Sequence, residues 1–184
     1  MKHSIRKRKA NIEDLEFLIY VDLLDEGITQ LEEQKLTKTE LEAHYDKIKT
    51  FIDDKDRGAL ILENIETKQR IGTIMYCISC RDKEYPWKTI YHELDREIFQ
   101  EDGRFLEIFQ LWIDSGYRRH GYGTQLKRFV EDEARRHKVN LVYTHTEESN
   151  QHVIDLNLKL GYKEVRRGPI WDEITRVSLI KYIK

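Results

Sequence analysis

Two hydrophobic rhythms alternate along the chain, and their alternation marks out the elements. Residues 4–9 read as a short strand. Asn11 stands where a helix N-cap belongs, with Asp14 near N3, ahead of Leu15, Leu18, Ile19 and Leu23 at helical spacing. Gly27 can end that helix. Thr37 and Glu40 form a capping box for a second helix, whose apolar face should carry Leu41, Tyr45, Ile48 and Ile52. After Gly58 come two strand-like runs, 59–65 and 70–79, joined by a polar link at 66–69 that suits a hairpin. Residues 81–103 are less regular, with Pro86, Trp87, a short helix over 90–99 and a terminating Gly103.

The second half is cleaner. Residues 104–113 are rich in β-formers. A glycine-bearing turn leads into an amphipathic helix with Tyr122, Leu126, Phe129, Val130 and Ala134 on one face. A strand at 140–146, a helix capped by Ser149 or Asn150 and ended by Gly161, and strands at 162–166 and 175–182 complete the pattern. The order is β-α-α-β-β-(insert)-β-α-β-α-β-β. No repeat, linker or charge block divides it. We expect one α/β domain over 1–184, with a mixed sheet flanked by helices.

Charge changes the picture by exclusion. Of 184 residues, 32 are Lys or Arg and 34 Asp or Glu, so a chain that is 36% charged has a net charge of only −2. Duplex nucleic-acid binders show a basic excess, so nucleic acid is not an expected partner. No apolar run approaches membrane-spanning length, and no apolar stretch follows the basic residues 2–9 as in a secretory signal. A soluble cytoplasmic domain is the expectation. Two cysteines, Cys77 and Cys80, lie within a strand-like run; three apart, they point to opposite faces and read as reduced structural thiols. The seven histidines show no ligand-like spacing, so no metal is expected.

The chemistry concentrates in Leu111-Trp112-Ile113-Asp114-Ser115-Gly116-Tyr117-Arg118-Arg119-His120-Gly121-Tyr122-Gly123-Thr124. A strand feeds a turn that opens a helix. The helix start offers N–H groups without intrahelical partners and the positive end of a dipole. Gly121 and Gly123 allow close approach to the backbone, and Arg118, Arg119 and His120 add donors. This suits a phosphate or pyrophosphate, although a structural strand-to-helix turn would use the same glycines. It is neither a Walker A loop nor a Rossmann fingerprint.

Arg118-x-x-Gly121-x-Gly123 after a strand resembles the acetyl-CoA pyrophosphate loop of the GNAT superfamily of N-acetyltransferases. Tyr117, Asn150 at the next helix start and Leu160-Gly161-Tyr162 at its end fall in the family's register. The resemblance is strongest over 104–165. It implies a GNAT-type, mostly antiparallel sheet, and acetyl-CoA as co-substrate. Leu111, Trp112 and Ile113 would give backbone contacts to the pantetheine arm, and residues 118–124 N–H groups to the pyrophosphate. Asn150 would contact the arm. Glu107, eleven residues before Arg118 as in the histone acetyltransferase branch, is the implied general base; a solvated or salt-bridged strand Glu is the alternative.

One position departs from the family. Asn157 stands where many members carry a Tyr that protonates the leaving thiolate. Asn157 can still hydrogen-bond the cofactor but cannot supply that proton; His152 and Tyr143 are the substitutes considered. The departure keeps a second class open, a GNAT-fold sensor or interaction module that binds acyl-CoA with weak or no turnover. A fold relative using another acyl-CoA is a remoter option. The acceptor would be a small-molecule or peptide amine. Asp22, Asp25 and Glu26 could meet a cationic substrate or form a solvated face. Tyr85, Trp87 and Tyr91 could wall an acceptor pocket or cover the sheet edge. The last strand, with Ile174, Val177, Leu179 and Ile180, is expected to be exposed and able to pair two copies into a homodimer.

Overall fold

The strand β2 (Arg57–Asn64) buries every residue from Ala59 to Asn64, with no inside–outside alternation. A strand covered on both faces must lie inside a sheet, and it does. The computed structural model describes residues 4–29 and 35–184. It has a seven-stranded sheet in the order β1-β2-β3-β4-β5-β7-β6. The other strands are β1 (Ile5–Lys9), β3 (Arg70–Cys80), β4 (Arg104–Ile113), β5 (Leu141–Glu147), β6 (Lys163–Gly168) and β7 (Arg176–Tyr182). The described α-helices are α1 (Leu15–Asp25), α2 (Lys38–Asp53), α3 (Tyr122–Arg136) and α4 (Gln151–Lys159). The order matches the sequence pattern. Both sheet edges, β1 and β6, are rich in Lys and Arg, which discourages edge-to-edge pairing. Among the described residues no helix is long and apolar enough to cross a membrane.

The chain forms two compact units, Met1–Tyr76 with Gln110–Leu126, and Cys77–Phe109 with Lys127–Lys184. In the first, α1 packs on α2 and α2 on β2. The capping box at Thr37 is present, with Glu40 N–H donating to Thr37 Oγ1 at 3.2 Å. Asn11 and Asp14 also form a capping box, on a single 3₁₀ turn that precedes α1. The expected face of α2 is only half right. Leu41 and Tyr45 are exposed, and the buried residues are Ile48 and Phe51, so the stripe meeting β2 is rotated toward the C-terminal half.

A buried ion network ties β1, β2, β3 and the start of α1. Asp14 is fully buried and accepts from Arg8 at 2.7 and 2.8 Å and from Arg70 at 2.6 Å. Arg8 also reaches Glu63 at 2.7 Å. Burial alone would raise the Asp14 pKa, but the two guanidiniums outweigh it and hold the group down at about 2.

In the second unit the insert joins the core. Ile90, Tyr91, Leu94 and Phe99 pack with Phe105, Leu141, Tyr143, Ile170 and Ile180. The expected helix over 90–99 is instead two 3₁₀ turns, Tyr91–Glu93 and Arg96–Ile98. Four apolar anchors in ten residues hold the segment by side chains rather than by a helical ladder. The last strand is also not exposed. β6 turns back and pairs with β7, so β7 lies between β5 and β6 with Val177, Leu179 and Ile180 fully buried. Lys127 is buried too, its ammonium 4.8 Å from the Tyr162 ring centre, and burial lowers its pKa to about 7.

Asp14→Asn should cost about 2 kcal/mol at pH 7, from the Asp14 pKa depression alone. Because the folded-state pKa lies below the ordinary 3.8, this stabilisation is complete above about pH 4 and drains away as pH falls toward 2. Denaturant melts of wild type and variant from pH 7 to 2 should therefore converge at the acid end. A gap that stays constant with pH would remove Asp14 as the acid-sensitive link.

Candidate functional site

The functional segment begins at the end of β4. Trp112 packs edge-on against Phe17 and Tyr20 of α1, with ring centres 5.6 and 6.5 Å away. β3 runs close behind: a Cβ on Gly72 would sit 2.6 Å from Ile113 Cδ1 and 3.2 Å from the Trp112 carbonyl oxygen. Only glycine allows that approach, which fixes the end of the strand. Asp114 donates its N–H to the Ile71 carbonyl at 2.9 Å, and its side chain accepts from Gly116 N–H at 2.9 Å, starting a 3₁₀ turn.

The turn then reverses into α3. Arg119 and Gly121 both adopt left-handed backbone, with φ of 64° and 79°. Arg118 Nε donates to the Ile113 carbonyl at 3.1 Å, and His120 Nδ1–H to the Arg118 carbonyl at 2.7 Å. These two side chains brace the turn. Gln125 N–H donates to the Gly121 carbonyl at 3.1 Å, so the N–H groups of 122–124 precede the helical ladder. Residues 118–121 are exposed. Left-handed residues at a helix start form a concave nest of N–H groups suited to an anion.

The second feature lies in the other unit. β4 pairs with β5 in parallel over only two positions, Leu106 with Val142 and Glu107 with Tyr143. By contrast, β5 pairs with β7 over seven. At that short ladder a cavity of about 50 Å³ opens, with Glu107, Tyr91, Tyr143 and His145 on its wall and Trp87 and Trp171 beside it. The Glu107 carboxylate accepts from Tyr91 Oη and from Ser79 Oγ, the latter at 3.2 Å. Burial pushes the Glu107 carboxyl above its ordinary range, and the two hydroxyls oppose this. Tyr143 Oη is committed to Ser178 Oγ at 3.0 Å. His145 is pushed down to about 4 by burial and then by the charge of Arg176, and its Nδ1 has no partner among the described residues. At neutral pH it is an uncharged imidazole.

The remaining sequence candidates separate. Asn150 precedes α4 without a side-chain cap bond. Asn157 is fully buried, and neither its Oδ1 nor its Nδ2 has a partner among the described residues. His152 is exposed on α4 and does not line the cavity. Asp22 is buried and paired with His44 at 2.9 Å and Lys47 at 2.8 Å, and Glu26 pairs with Lys47 at 3.1 Å. Asp22, Glu26 and His44 bring possible ligand atoms within 4.8 Å of one another, a grouping that sequence spacing concealed. Lys47 pairs with both of its carboxylates. Cys77 and Cys80 share no disulfide. Of the insert aromatics, Trp87 and Tyr91 line the cavity, whereas Tyr85 Oη accepts from Cys80 N–H at 2.9 Å. His145 and Trp171 were not picked out as cavity residues; each lies on an element that folding, not spacing, brings to Glu107.

The sequence model of the Acetyltransferase (GNAT) family matches residues 25–162. No curated protein matches the chain in sequence. Among solved structures it is similar to NAA60 of Arabidopsis thaliana in complex with acetyl-CoA, at 17% identity and a TM-score of 0.73, covering 98% of this chain and 99% of that one. It is also similar to the spermidine/spermine N-acetyltransferase SpeG of Vibrio cholerae, at 16% identity and TM-score 0.61, covering 97% and 92%. Ribosomal-protein-alanine N-acetyltransferase of Brucella melitensis gives 17% identity, TM-score 0.63 and coverage of 96% and 99%. At these identities the likeness is one of fold.

The state of the cavity wall is open to direct titration. The His145 ring should stay neutral from pH 8 to below pH 5 and gain its proton near pH 4, followed by imidazole nitrogen shifts. Since its folded pKa lies below the ordinary 6.5, the protein should lose stability as pH falls through that interval. A ring that titrates near 6.5 would mean an open, hydrated site.

Proposed function

Since this chain belongs to the GNAT acetyltransferase family, we propose that it moves the acetyl group of acetyl-CoA to a primary amine by direct attack, with Glu107 as the general base. The observation that carries this reading is the place of Glu107: on a cavity wall, with a raised pKa, and on the strand that runs into the glycine turn. A carboxylate whose pKa is raised by burial is a better proton acceptor for an ammonium than one in water. Glu107 takes one proton from the ammonium, and the neutral amine attacks the acyl carbon. The carbon–sulfur bond breaks with CoA leaving as thiolate, which takes up the second proton that the nitrogen sheds and departs as the thiol. A strand N–H near Leu111 or Trp112 steadies negative charge on the acyl oxygen.

Acetyl-CoA is the co-substrate in this reading. The backbone of Leu111, Trp112 and Ile113 binds the pantetheine arm in the manner of an added strand. The N–H groups of Arg118, Arg119, His120, Gly121, Tyr122, Gly123 and Thr124 hold the pyrophosphate. Asn150 meets the arm at the start of α4, and Asn157, whose amide atoms lack partners, is assigned to the same ligand. A cytoplasmic location, one functional domain over 1–184 and a small-molecule or peptide acceptor belong to the same proposal. A homodimer remains in it only without β7 as the pairing edge. The relatives' names range from a polyamine to a ribosomal-protein alanine, so they do not choose the acceptor.

Asn157 motivates the second reading, an acyl-CoA-binding module with weak or no turnover, because a carboxamide cannot protonate a thiolate. The two readings part on thiol release across a panel of amines: binding without release on any acceptor supports the module. For the enzyme, Glu107→Gln should lower kcat by roughly 10²–10⁴ at neutral pH, with the gap closing as pH nears the amine pKa. A variant with the wild-type pH–rate profile would remove Glu107 from the mechanism. Backbone binding predicts a matching split at the turn. Gly121→Val should weaken acetyl-CoA binding by at least ~10-fold, and His120→Ala by no more than about 3-fold. Equal losses, measured by calorimetry, would mean that side chains carry the affinity.

A further inference from the structure

We propose that the acceptor is a primary monoamine borne on a flat apolar body, an arylalkylamine in type, selected by Trp87 and Trp171 at the mouth of the Glu107 cavity. The inference rests on the acetyl-transfer reading for the fate of the amine, but its evidence is the cavity alone. The space beside Glu107, about 50 Å³, takes an amine and the carbon that bears it. The rest of the acceptor must lie at the rim. There the chain places two indoles, Trp87 at 55% and Trp171 at 56% exposure, the most exposed large hydrophobics of the second unit. Two exposed indoles among the residues that line a cavity also holding Glu107 and His145 make the arrangement of a ligand site: an apolar wall with a few placed polar groups.

Both indoles are held rather than loose. Trp171 has the Arg176 guanidinium over its ring at 4.4 Å and the His145 ring edge-on at 5.2 Å. Trp87 leans on Tyr85 at 5.2 Å, and Tyr85 in turn meets Tyr91 at 6.2 Å. Pre-set aromatic surfaces stack an aromatic ligand with little ordering cost.

Charge decides against the alternative acceptor, a polyamine. A second ammonium needs a second carboxylate. The cavity wall has one, Glu107, already engaged by Tyr91 and Ser79 and reserved for the reacting amine. The other charge on the wall is the Lys88 ammonium. Nearby, Asp172 is paired with Arg176, and Glu93 with Arg166 at 2.5 Å. Among the residues that line the cavity, a polycation would therefore meet Lys88 and no carboxylate besides Glu107.

The test measures binding and turnover separately. Calorimetry on the protein saturated with CoA gives Kd for 2-phenylethylamine, butylamine and spermidine; thiol release from acetyl-CoA gives kcat/KM for the same three. Phenylethylamine should exceed butylamine and spermidine by about 10-fold or more in both measures. Trp87→Ala and Trp171→Ala should each remove most of that advantage by lowering the phenylethylamine value far more than the butylamine value. Both side chains are more than half exposed, so the variants should fold, which a thermal melt checks. Lys88→Glu should raise the spermidine value by several-fold and leave phenylethylamine unchanged. Spermidine as the best ligand, an aromatic advantage that survives both truncations, or no binding by any amine would each overturn the proposal. Trp-dependent aromatic binding without thiol release would leave the pocket assignment standing and defeat acetyl transfer. Thiol release favouring spermidine would do the reverse.

Discussion

The two-rung pairing of β4 with β5 is the constraint on which the site depends. Leu106 meets Val142 and Glu107 meets Tyr143, and the ladder goes no further among the described residues. A backbone that stops pairing must satisfy its N–H and C=O groups in another way. In most sheets a new strand, a bulge or water would do so. Here β4 keeps β3 as its neighbour, and beyond the two rungs shared with β5 its residues 108–113 lead straight into the turn at 114–121, which holds left-handed residues at Arg119 and Gly121. In the proposed function the same strand and its turn receive an extended ligand and that ligand's charged end. Glu107, on the last paired rung, borders the cavity that the early end of the ladder leaves.

That arrangement explains why so highly charged a chain gives away so little in its composition. Most charges balance one another locally. Arg8 with Asp14 and Glu63, Lys47 with Asp22 and Glu26, and Arg167 with Glu148 and Glu164 are close pairs. On the proposed reading the groups used for chemistry are backbone amides and a few side chains whose pKa values burial has moved. Glu107 is raised, His145 and Lys127 are lowered, and Tyr143 is raised. A net charge counts the first set and cannot see the second.

Much of this was legible in the sequence, for reasons that are local. Thr37 with Glu40, and Arg118 with Gly121, act over three or four residues, so pattern reading finds them. Glu107 was found by its register to Arg118 and by family likeness, not by any property of a strand Glu in isolation. What sequence reading missed depends on long-range packing. β7 reads as an exposed final strand until β6 folds back onto it. The stretch 90–99 reads as a helix until Ile90, Tyr91, Leu94 and Phe99 are seen to be core anchors. His145 and Trp171 lie 26 residues apart and reach one cavity only once β5 and the segment before β7 are in place. Lys127 carried no sequence signal of burial; the Tyr162 ring and the Glu131 charge that accompany it are brought there by packing.

The central claim is that the main chain of β4 and its turn, rather than side chains, receives acetyl-CoA. Amide hydrogen exchange resolved to single residues, with and without saturating acetyl-CoA, tests it most directly. The account expects new protection at the amides of Leu111, Trp112 and Ile113 and across residues 119–124, with β1 and β6 unchanged. Saturation that leaves those amides exchanging as before, while protection appears elsewhere, would contradict it.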